Sequence, residues 1–199
     1  GGVTDSGDIT VAGAATITAT GQTITLGDGG TEDLNFGSIG LFGSTVIVTE
    51  DSSTNLATST VSVDLTLTSS GAVTDSGTIT VSGVTTVSAA TFDITLDSAA
   101  NSFTGRLQFT GKHVAVTNDR ATALGDTTAT GNFTVTSNGN VTENDGTAGQ
   151  ANLNVTGAFT VDATAGAYDI TIVSIRDAGP VHLDSFGTVP LLMVGVGGT

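Results

Sequence analysis

Apolar residues alternate with polar residues in many short runs along this chain. Clear examples are Ile9-Thr10-Val11, Ile24-Thr25-Leu26 and Leu65-Thr66-Leu67. A period of two is typical of strands that bury one face and expose the other. Gly, Asn and Asp separate the runs, and no segment shows a helical period. The pattern therefore predicts an all-β protein in which strands begin roughly every 8–12 residues.

The same pattern of residues recurs along the chain. The opening stretch GGVTDSGDITVAG returns 70 positions later as GAVTDSGTITVSG, and 15 of 26 positions are identical when residues 1–26 are laid on residues 71–96. After a slip of two residues the match resumes at an offset of 68, where VIVTED at Val46 corresponds to VAVTND at Val114. Self-similarity at a fixed period is the sequence signature of a repeat architecture.

The matches divide the chain into a repeat region and a tail. A third copy begins near Gly139, where LNVTG at Leu153 corresponds to ITVSG at Ile79, and its extra residues lie mainly in the loop-like stretch NDGTAGQ. The chain thus holds about 2.8 copies of one unit. We predict a repeat region at 1–172, with copies at about 1–70, 71–138 and 139–172, and a segment at 173–199 that is a divergent last coil, a cap or a donated strand.

Two all-β architectures fit this spacing: stacked coils of a β-solenoid, or tandem β-sandwich modules. A β-sandwich made from one repeat unit of about 70 residues usually relies on large aromatic side chains or disulfides for its stability, whereas this chain has no Trp, no Cys and one Tyr. The copies also abut without a Pro- or Ser-rich linker. The core of a solenoid needs only narrow columns of Val, Ile, Leu and Ala. The 39 Thr residues of this chain can form columns of hydroxyl groups on the outer faces. We predict a solenoid of about nine coils, each of roughly 23 residues and about 4.8 Å high.

One stretch resembles a known family. NSFTGRLQFTGKHVAVTNDRATALG at 101–125, followed by TGNFTVTSNGNVTE and LNVTGAFTVDATAGAYDITI, is similar to the degenerate repeats of filamentous-haemagglutinin-like surface proteins, which are large bacterial adhesins. The resemblance covers about residues 1–172 and implies a right-handed parallel β-helix that serves as a fibre shaft, with no catalytic residues. The chain departs from that family because it has no recognisable secretion domain and loses the repeat after Ile172.

Charge and composition exclude several classes of partner. With 19 acidic and 4 basic residues, the formal net charge of −15 repels phosphate backbones and anionic lipids, so we expect no nucleic-acid partner. The absence of cysteine removes disulfides and thiolate zinc sites. No apolar run approaches the ~20 residues that span a bilayer, so we expect no membrane-spanning segment. Without an initiating Met or a signal-peptide pattern, the chain is expected to be a mature form or an excerpt.

The basic residues are the first candidates for chemistry. There are four, three of them within 15 positions in the second copy: Arg106, Lys112 and Arg120, with Arg176 further on. Together with His113 and Asp119 they could line one face, as in β-helix enzymes that cleave acidic polysaccharides. The other interpretation is contact with acidic residues of a neighbouring coil or chain. Because an active site needs convergent groups with shifted pKa values, we predict no catalytic residues.

Calcium is the second candidate chemistry. The loops GDGGTED at 27–33 and ENDGTAG at 143–149 are rich in Asp and Gly, but neither has the spacing of an EF-hand or of the calcium-binding nonapeptide. His113 and His182 are isolated in sequence, which argues against zinc. The sequons at Asn132, Asn140 and Asn154 are expected by chance in a Thr-rich chain. We therefore assign no metal or cofactor residue, with calcium as an open alternative at the two loops.

The ends of a solenoid expose strand edges that soluble repeat proteins normally cover. Residues 1–13 already copy an internal coil, so we expect their edge to continue a sheet from another chain or an upstream segment. We expect a non-catalytic, extracellular fibre or adhesin shaft at a bacterial surface, which stacks end to end or joins flanking repeats and can meet surface glycans. The alternatives are a carbohydrate-binding or polysaccharide-cleaving β-helix, and tandem sandwich modules in a stalk.

Overall fold

The structure, a computed structural model, describes residues 1–27, 32–144, 151–173, 175–176 and 179–187. Within these ranges all regular elements are β-strands, and they pair in parallel. In chain order the strands are β1 (Val3–Thr4), β2 (Ile9–Ala19), β3 (Ile24–Leu26), β4 (Leu34–Gly43), β5 (Val46–Glu50), β6 (Thr54–Leu56), β7 (Ser59–Val61), β8 (Leu65–Ser69), β9 (Val73–Asp75), β10 (Ile79–Val81), β11 (Thr85–Ser88), β12 (Ile94–Leu96), β13 (Ser102–Phe103), β14 (Arg106–Gly111), β15 (Val114–Asn118), β16 (Thr122–Ala129), β17 (Phe133–Ser137), β18 (Val141–Glu143), β19 (Leu153–Val155), β20 (Phe159–Ala163), β21 (Ile170–Thr171), β22 (Ile175–Arg176) and β23 (Val181–Ser185).

A ladder of parallel strands runs along the described chain from β1 to β22. It passes through β3, β5, β8, β11, β14, the second half of β16, and β19. Val3 pairs with Ile24, and Ile24 pairs with Val46, so the chain completes one turn between each of these residues and the next. A chain that returns to the same face after each turn is a β-solenoid. The predicted all-β solenoid is confirmed, with about eight turns against the nine coils expected.

The strands form three such ladders, one on each face of the solenoid. The second ladder includes β9, β12, β15, β17, β20 and β23, and the third includes β7, β10, β18 and β21. Long strands bend around the corners, with register shifts between Val11 and Ala14 and between Leu107 and Phe109. These bends join the ladders into two hydrogen-bonded sheets of 11 and 12 strands.

Each copy of the repeat is rotated onto the next face of the solenoid. Corresponding pairs in the three copies lie on three different ladders: Val3 with Ile24, Val73 with Ile94, and Val141 with Ile170. Among its described residues, the first copy contributes ten strand segments when the halves of β2 and β4 are counted separately, and one turn takes three. The unit therefore covers three and one-third turns, slightly more than the roughly three turns that coils of about 23 residues imply for a unit of 70 residues.

The core is a narrow column of inward-facing apolar side chains. Ile24, Val46 and Leu65, which stack on the first ladder, are at most 1% exposed. Further along, Phe133 lies between two other rings, with centroids 6.2 Å from Phe109 and 5.3 Å from Phe159. Threonines at the alternate positions point outward. This alternation is the pattern from which the strands were predicted.

In each of two ladders, one position has no neighbouring strand to pair with, and a buried polar side chain forms hydrogen bonds with the backbone there instead. In the first copy, the amide of Phe36 donates to Oε1 of Glu50 at 2.9 Å. In the second copy, the amide of Phe103 donates to Oδ1 of Asn118 at 2.9 Å, and Nδ2 of Asn118 donates back to the Phe103 carbonyl at 3.0 Å. Glu50 and Asn118 are equivalent positions of the two copies, and each satisfies backbone groups that a strand would otherwise pair.

The C-terminal segment continues the ladders where it is described. β22 pairs with β19, and β23 pairs with β20 so that Val181 lies opposite Phe159. The predicted cap or donated strand falls largely on positions outside the described residues, namely 174, 177–178 and 188–199.

Candidate functional site

The basic residues of the second copy occupy three successive corners of one turn. Arg106 begins β14, Lys112 follows that strand as an exposed residue, and Arg120 follows β15. Arg120 forms a 2.9 Å ion pair with Asp119, its neighbour in sequence, and donates to Oγ1 of Thr104 at 3.1 Å. An exposed pair of this kind contributes little stability. The structure therefore spreads these residues around the turn and does not bring them to one cleft.

His113 belongs to a column of hydrogen bonds along one corner. Oδ1 of Asp93 accepts the amide of His113 at 3.3 Å, Nδ1 of His113 accepts the amide of Asn132 at 3.0 Å, and Oδ1 of Asn132 accepts the amide of Ala158 at 3.0 Å. In this position His113 pairs a backbone amide between consecutive turns, which is a structural role.

Aspartates of the recurring VTDSG motif also fix corners. Both carboxylate oxygens of Asp5 accept the amide of Gly27, at 2.9 and 3.1 Å. Its counterpart Asp75 accepts the amides of Asp97 and Ser98 at 3.1 and 3.2 Å, and Nδ2 of Asn101 at 2.6 Å. Carboxylates that accept several N–H groups are held in place. In both copies that carry VTDSG, the aspartate accepts backbone amides of the following turn and so fixes the same corner.

Metal binding has no support among the residues that the structure describes. No three side chains of the His, Asp or Glu type come close enough there to hold a metal ion. On β23, Nε2 of His182 instead lies 2.8 Å from Oδ2 of Asp184, and the two side chains are 67% and 48% exposed. The proposed calcium loops at 27–33 and 143–149 fall in large part outside the described residues, at 28–31 and 145–149.

Two clefts open on the surface of the first copy. One, of about 260 Å³, has the half-buried ring of Phe42 beside Thr20, Gly21, Gly43, Thr60 and Ser62. The other, of about 350 Å³, is more polar and is lined by Thr10, Asp33, Leu34, Asn35, Asp51 and Ser52. In the second cleft, Oδ2 of Asp51 already accepts the amide of Leu34 at 3.2 Å. Both offer hydroxyl groups, and neither was indicated by a sequence motif.

The first described rung, which we define as β1 and β2 and call the open rung, is more exposed than its counterpart in the second copy. Each of these strands pairs on one side only with a described strand, β3 and β4 respectively. The inward residues of the open rung are partly exposed, whereas their second-copy counterparts are 0% exposed: Val3, Ile9 and Val11 against Val73, Ile79 and Val81. The difference arises because the second copy has a preceding turn above it and the open rung has none in the described chain.

Comparison with known proteins follows the repeat. The family model described as "Repeats of unknown function (DUF5649)" matches residues 1–36, 43–110 and 111–183. The chain belongs to the DUF5649 repeat family. In this DUF5649 protein the matches at 43–110 and 111–183 begin 68 residues apart. This spacing equals the offset of 68 at which Val46 corresponds to Val114. The match supports a repeat β-solenoid and does not extend to filamentous-haemagglutinin-like adhesins.

Neither the curated proteins nor the solved structures contain a match to this DUF5649 chain. Across the described ranges of the chain, no helix has the length and apolar character needed to cross a membrane.

Proposed function

We propose that this DUF5649 chain is a structural shaft segment that extends end to end through its strand edges. The observation that carries the proposal is the ladder from β1 to β22, in which each turn pairs with the next through parallel strands. A long unpaired edge is a template for pairing with another strand. Head-to-tail pairing does not close on itself, so it produces a filament.

The mechanism is mechanical and needs no catalytic group. Each added turn extends three ladders of backbone hydrogen bonds and one apolar column, and a solenoid gains stability from each such interface with its neighbour. The net charge of −15 opposes side-by-side association of rods, while pairing at the tips is short-ranged. Both properties favour long, separate fibres. We propose an extracellular setting at a bacterial surface and kinship with adhesin shafts, on the strength of the repeat architecture.

A second candidate function is carbohydrate binding, and the two clefts favour it. The ring of Phe42 with flanking threonines, and the polar cleft with Asp33, Asn35 and Asp51, offer the stacking and hydrogen-bonding groups that sugars use. Cleavage of polysaccharides is less favoured, because the basic residues lie at separate corners. A glycan array distinguishes this candidate, since a shaft alone gives no saturable signal.

Negative-stain electron microscopy of the purified chain tests the proposal. Short rods that lengthen as the protein concentration rises are expected, since each junction is a bimolecular contact. Globular particles of constant size at every concentration would contradict end-to-end extension. The glycan array on the same preparation then reports separately on carbohydrate binding.

A further inference from the structure

The aromatic residues of this chain fall into two groups. There are eight Phe and one Tyr. Five of them belong to the core and are at most 4% exposed: Phe36, Phe103, Phe109, Phe133 and Phe159. The other four are partly or largely exposed: Phe42, Phe92, Tyr168 and Phe186. Single apolar residues are normal on a protein surface, so these four are informative only if they share a position in the repeat.

The first two copies place an aromatic ring at the same corner. In the first copy, a Cβ added to Gly43 would lie 3.2 Å from the Gln22 carbonyl oxygen. In the second copy, a Cβ added to Gly111 would lie 3.2 Å from the Phe92 carbonyl oxygen, so the two glycines are equivalent, as their offset of 68 also indicates. The ring comes from Phe42, directly before the glycine, in the first copy and from Phe92 in the second.

The third copy has rings at both of these positions. Gly187 lies against the Tyr168 carbonyl as the corner glycines of the other copies do, and Phe186 directly precedes it. All four exposed aromatic residues thus lie at one corner of the repeat, which we call the aromatic corner: Phe42, Phe92, Tyr168 and Phe186. Because each copy is rotated by one face, the aromatic corner recurs on three edges of the rod, every three and one-third turns of about 4.8 Å, or about 16 Å.

Hydroxyl groups accompany the rings. In the first copy the ring lies in the cleft of about 260 Å³, where the exposed Thr60 and Ser62 offer hydroxyls and no described lining residue carries a charge. In the second copy Thr128 and Thr130 take the equivalent positions, since the amides of Ser62 and Thr130 donate to the carbonyls of the corner glycines at the same distance of 3.1 Å. The corner therefore combines an apolar ring with uncharged hydrogen-bonding groups.

The first-copy cleft opens sideways from the rod. Its strand β4 pairs with β2 on one side and with β7 on the other, so that Phe42 stands between the outward residues Thr18 and Thr60. Turns stacked before β1 would extend the ladders and would leave this outer face uncovered. The site is therefore independent of how the rod continues.

We propose that the aromatic corner binds pyranose rings of neutral polysaccharides, with one sugar ring stacked on each aromatic side chain. The inference rests on the second candidate function and names its site and its ligand class. The C–H face of a pyranose packs on an aromatic ring while its hydroxyls pair with Thr and Ser, whereas a wholly apolar ligand would leave those hydroxyls unpaired.

Charge and spacing narrow the ligand further. The net charge of −15 repels acidic glycans and so favours neutral ones. Rings about 16 Å apart do not form the contiguous apolar patch of a protein interface. Several such contacts on one long polymer add through avidity, although each contact alone is weak.

Each copy supplies a replacement that the fold already accepts in the other. Phe42→Thr introduces the residue that the second copy has at this position, and Phe92→Gln introduces the residue of the first copy. Ile47→Ala is the matched control, because Ile47 is apolar and 38% exposed but has no ring, and the second copy has Ala there. All variants are expected to keep the circular dichroism spectrum of the wild type.

Affinity electrophoresis in native gels measures the binding. The gels contain increasing amounts of β-glucan, xyloglucan, galactomannan or amylopectin, with polygalacturonate as the acidic reference. At least one neutral polymer is expected to retard the wild type and Ile47→Ala, while the double variant Phe42→Thr/Phe92→Gln needs at least about tenfold more polymer for the same retardation. Polygalacturonate is expected to have no such effect.

Two results would overturn the proposal, and they differ in what else fails. If a neutral polymer retards the double variant as strongly as the wild type, sugars bind at another site, so carbohydrate binding stands and the aromatic corner is wrong. If no neutral polymer retards the wild type, carbohydrate binding fails as well. The lengthening of rods in the microscope tests the shaft separately from both results.

Discussion

Glu50 and Asn118 fill equivalent interruptions in successive copies, but only Asn118 does so with all its polar atoms paired. Oε1 of Glu50 accepts from the Phe36 amide and from Oγ of Ser52, while Oε2 is buried without a partner among the described residues. Asn118 accepts one amide, and its Nδ2 donates to the carbonyls of Phe103 and Ala121 and to Oγ1 of Thr122. A buried polar atom without a partner costs free energy.

Replacing the carboxyl group of Glu50 by an amide, and the amide of Asn118 by a carboxyl group, should therefore change the free energy of unfolding in opposite directions. Glu50→Gln supplies a donor in place of the unpaired oxygen, and we expect it to raise the free energy of unfolding by about 1 kcal/mol. Asn118→Asp removes the donors of Nδ2, and we expect it to lower that free energy by about 2 kcal/mol. Urea unfolding followed by circular dichroism measures both. A lower midpoint for Glu50→Gln would show that its Oε2 is satisfied by some other group.

Thr85 offers a second case of an unpaired buried group. Its side chain is 0% exposed, and Oγ1 has no partner within the described chain. Thr85→Val replaces the hydroxyl with a methyl group of similar size, so we expect stabilisation of about 1 kcal/mol. Thr127→Val is the control, because the buried Thr127 hydroxyl donates to the Gly125 carbonyl at 3.2 Å and its loss should destabilise. Equal shifts of the two unfolding midpoints would refute this interpretation.

The phenylalanine stack should dominate the stability of the later turns. Phe133 is 0% exposed and contacts rings on both sides, so Phe133→Ala is expected to cost about 3–5 kcal/mol. Phe92 lies at a corner and is 45% exposed, and Phe92→Ala should cost far less. Thermal unfolding of the two variants compares them directly. Similar losses would mean that the apolar column is not the main source of stability.

Asp162 should make stability depend on acid pH. Hydrogen bonds from Oγ1 and the amide of Thr164, at 2.7 and 3.0 Å, lower the pKa of Asp162 from its ordinary value of 3.8. A carboxyl with a lowered folded pKa stabilises the fold above its ordinary pKa, and this contribution is lost as pH falls through the folded value.

We therefore expect the stability difference between wild type and Asp162→Asn to be present at neutral pH and to shrink below pH 3.8. Urea unfolding at a series of pH values measures it. Thr164→Val, which removes the hydroxyl donor, should reduce the same pH dependence. A difference that grows toward acid pH would give the opposite sign and contradict the assignment.

The architecture could be predicted from the sequence because the signals that define it are short patterns that recur in each copy. Alternation around Ile9, Ile24 and Leu65 marks strands, and the match of residues 1–26 to 71–96 shows that one unit is reused. Rotation of each copy by one face was not predictable, because strand spacing does not say how many segments complete a turn. Only the pairing of Val73 with Ile94 on a second ladder reveals it.

The polar groups that close the fold were harder to predict than the strands. The sequence comparison aligns Glu50 with Asn118, but because both side chains are polar it gave no sign that this position is buried. Similarly, Arg106, Lys112 and Arg120 are near in sequence, and only the turn length places them at three corners.

The central claim is that strands run across the rod and that their ladders continue through the junctions. Fibre X-ray diffraction from oriented filaments tests it most directly. The account predicts a reflection at about 4.8 Å along the fibre axis, because that is the spacing between stacked strands. If this reflection instead lies perpendicular to the fibre axis, the chains associate side by side and the end-to-end shaft is contradicted.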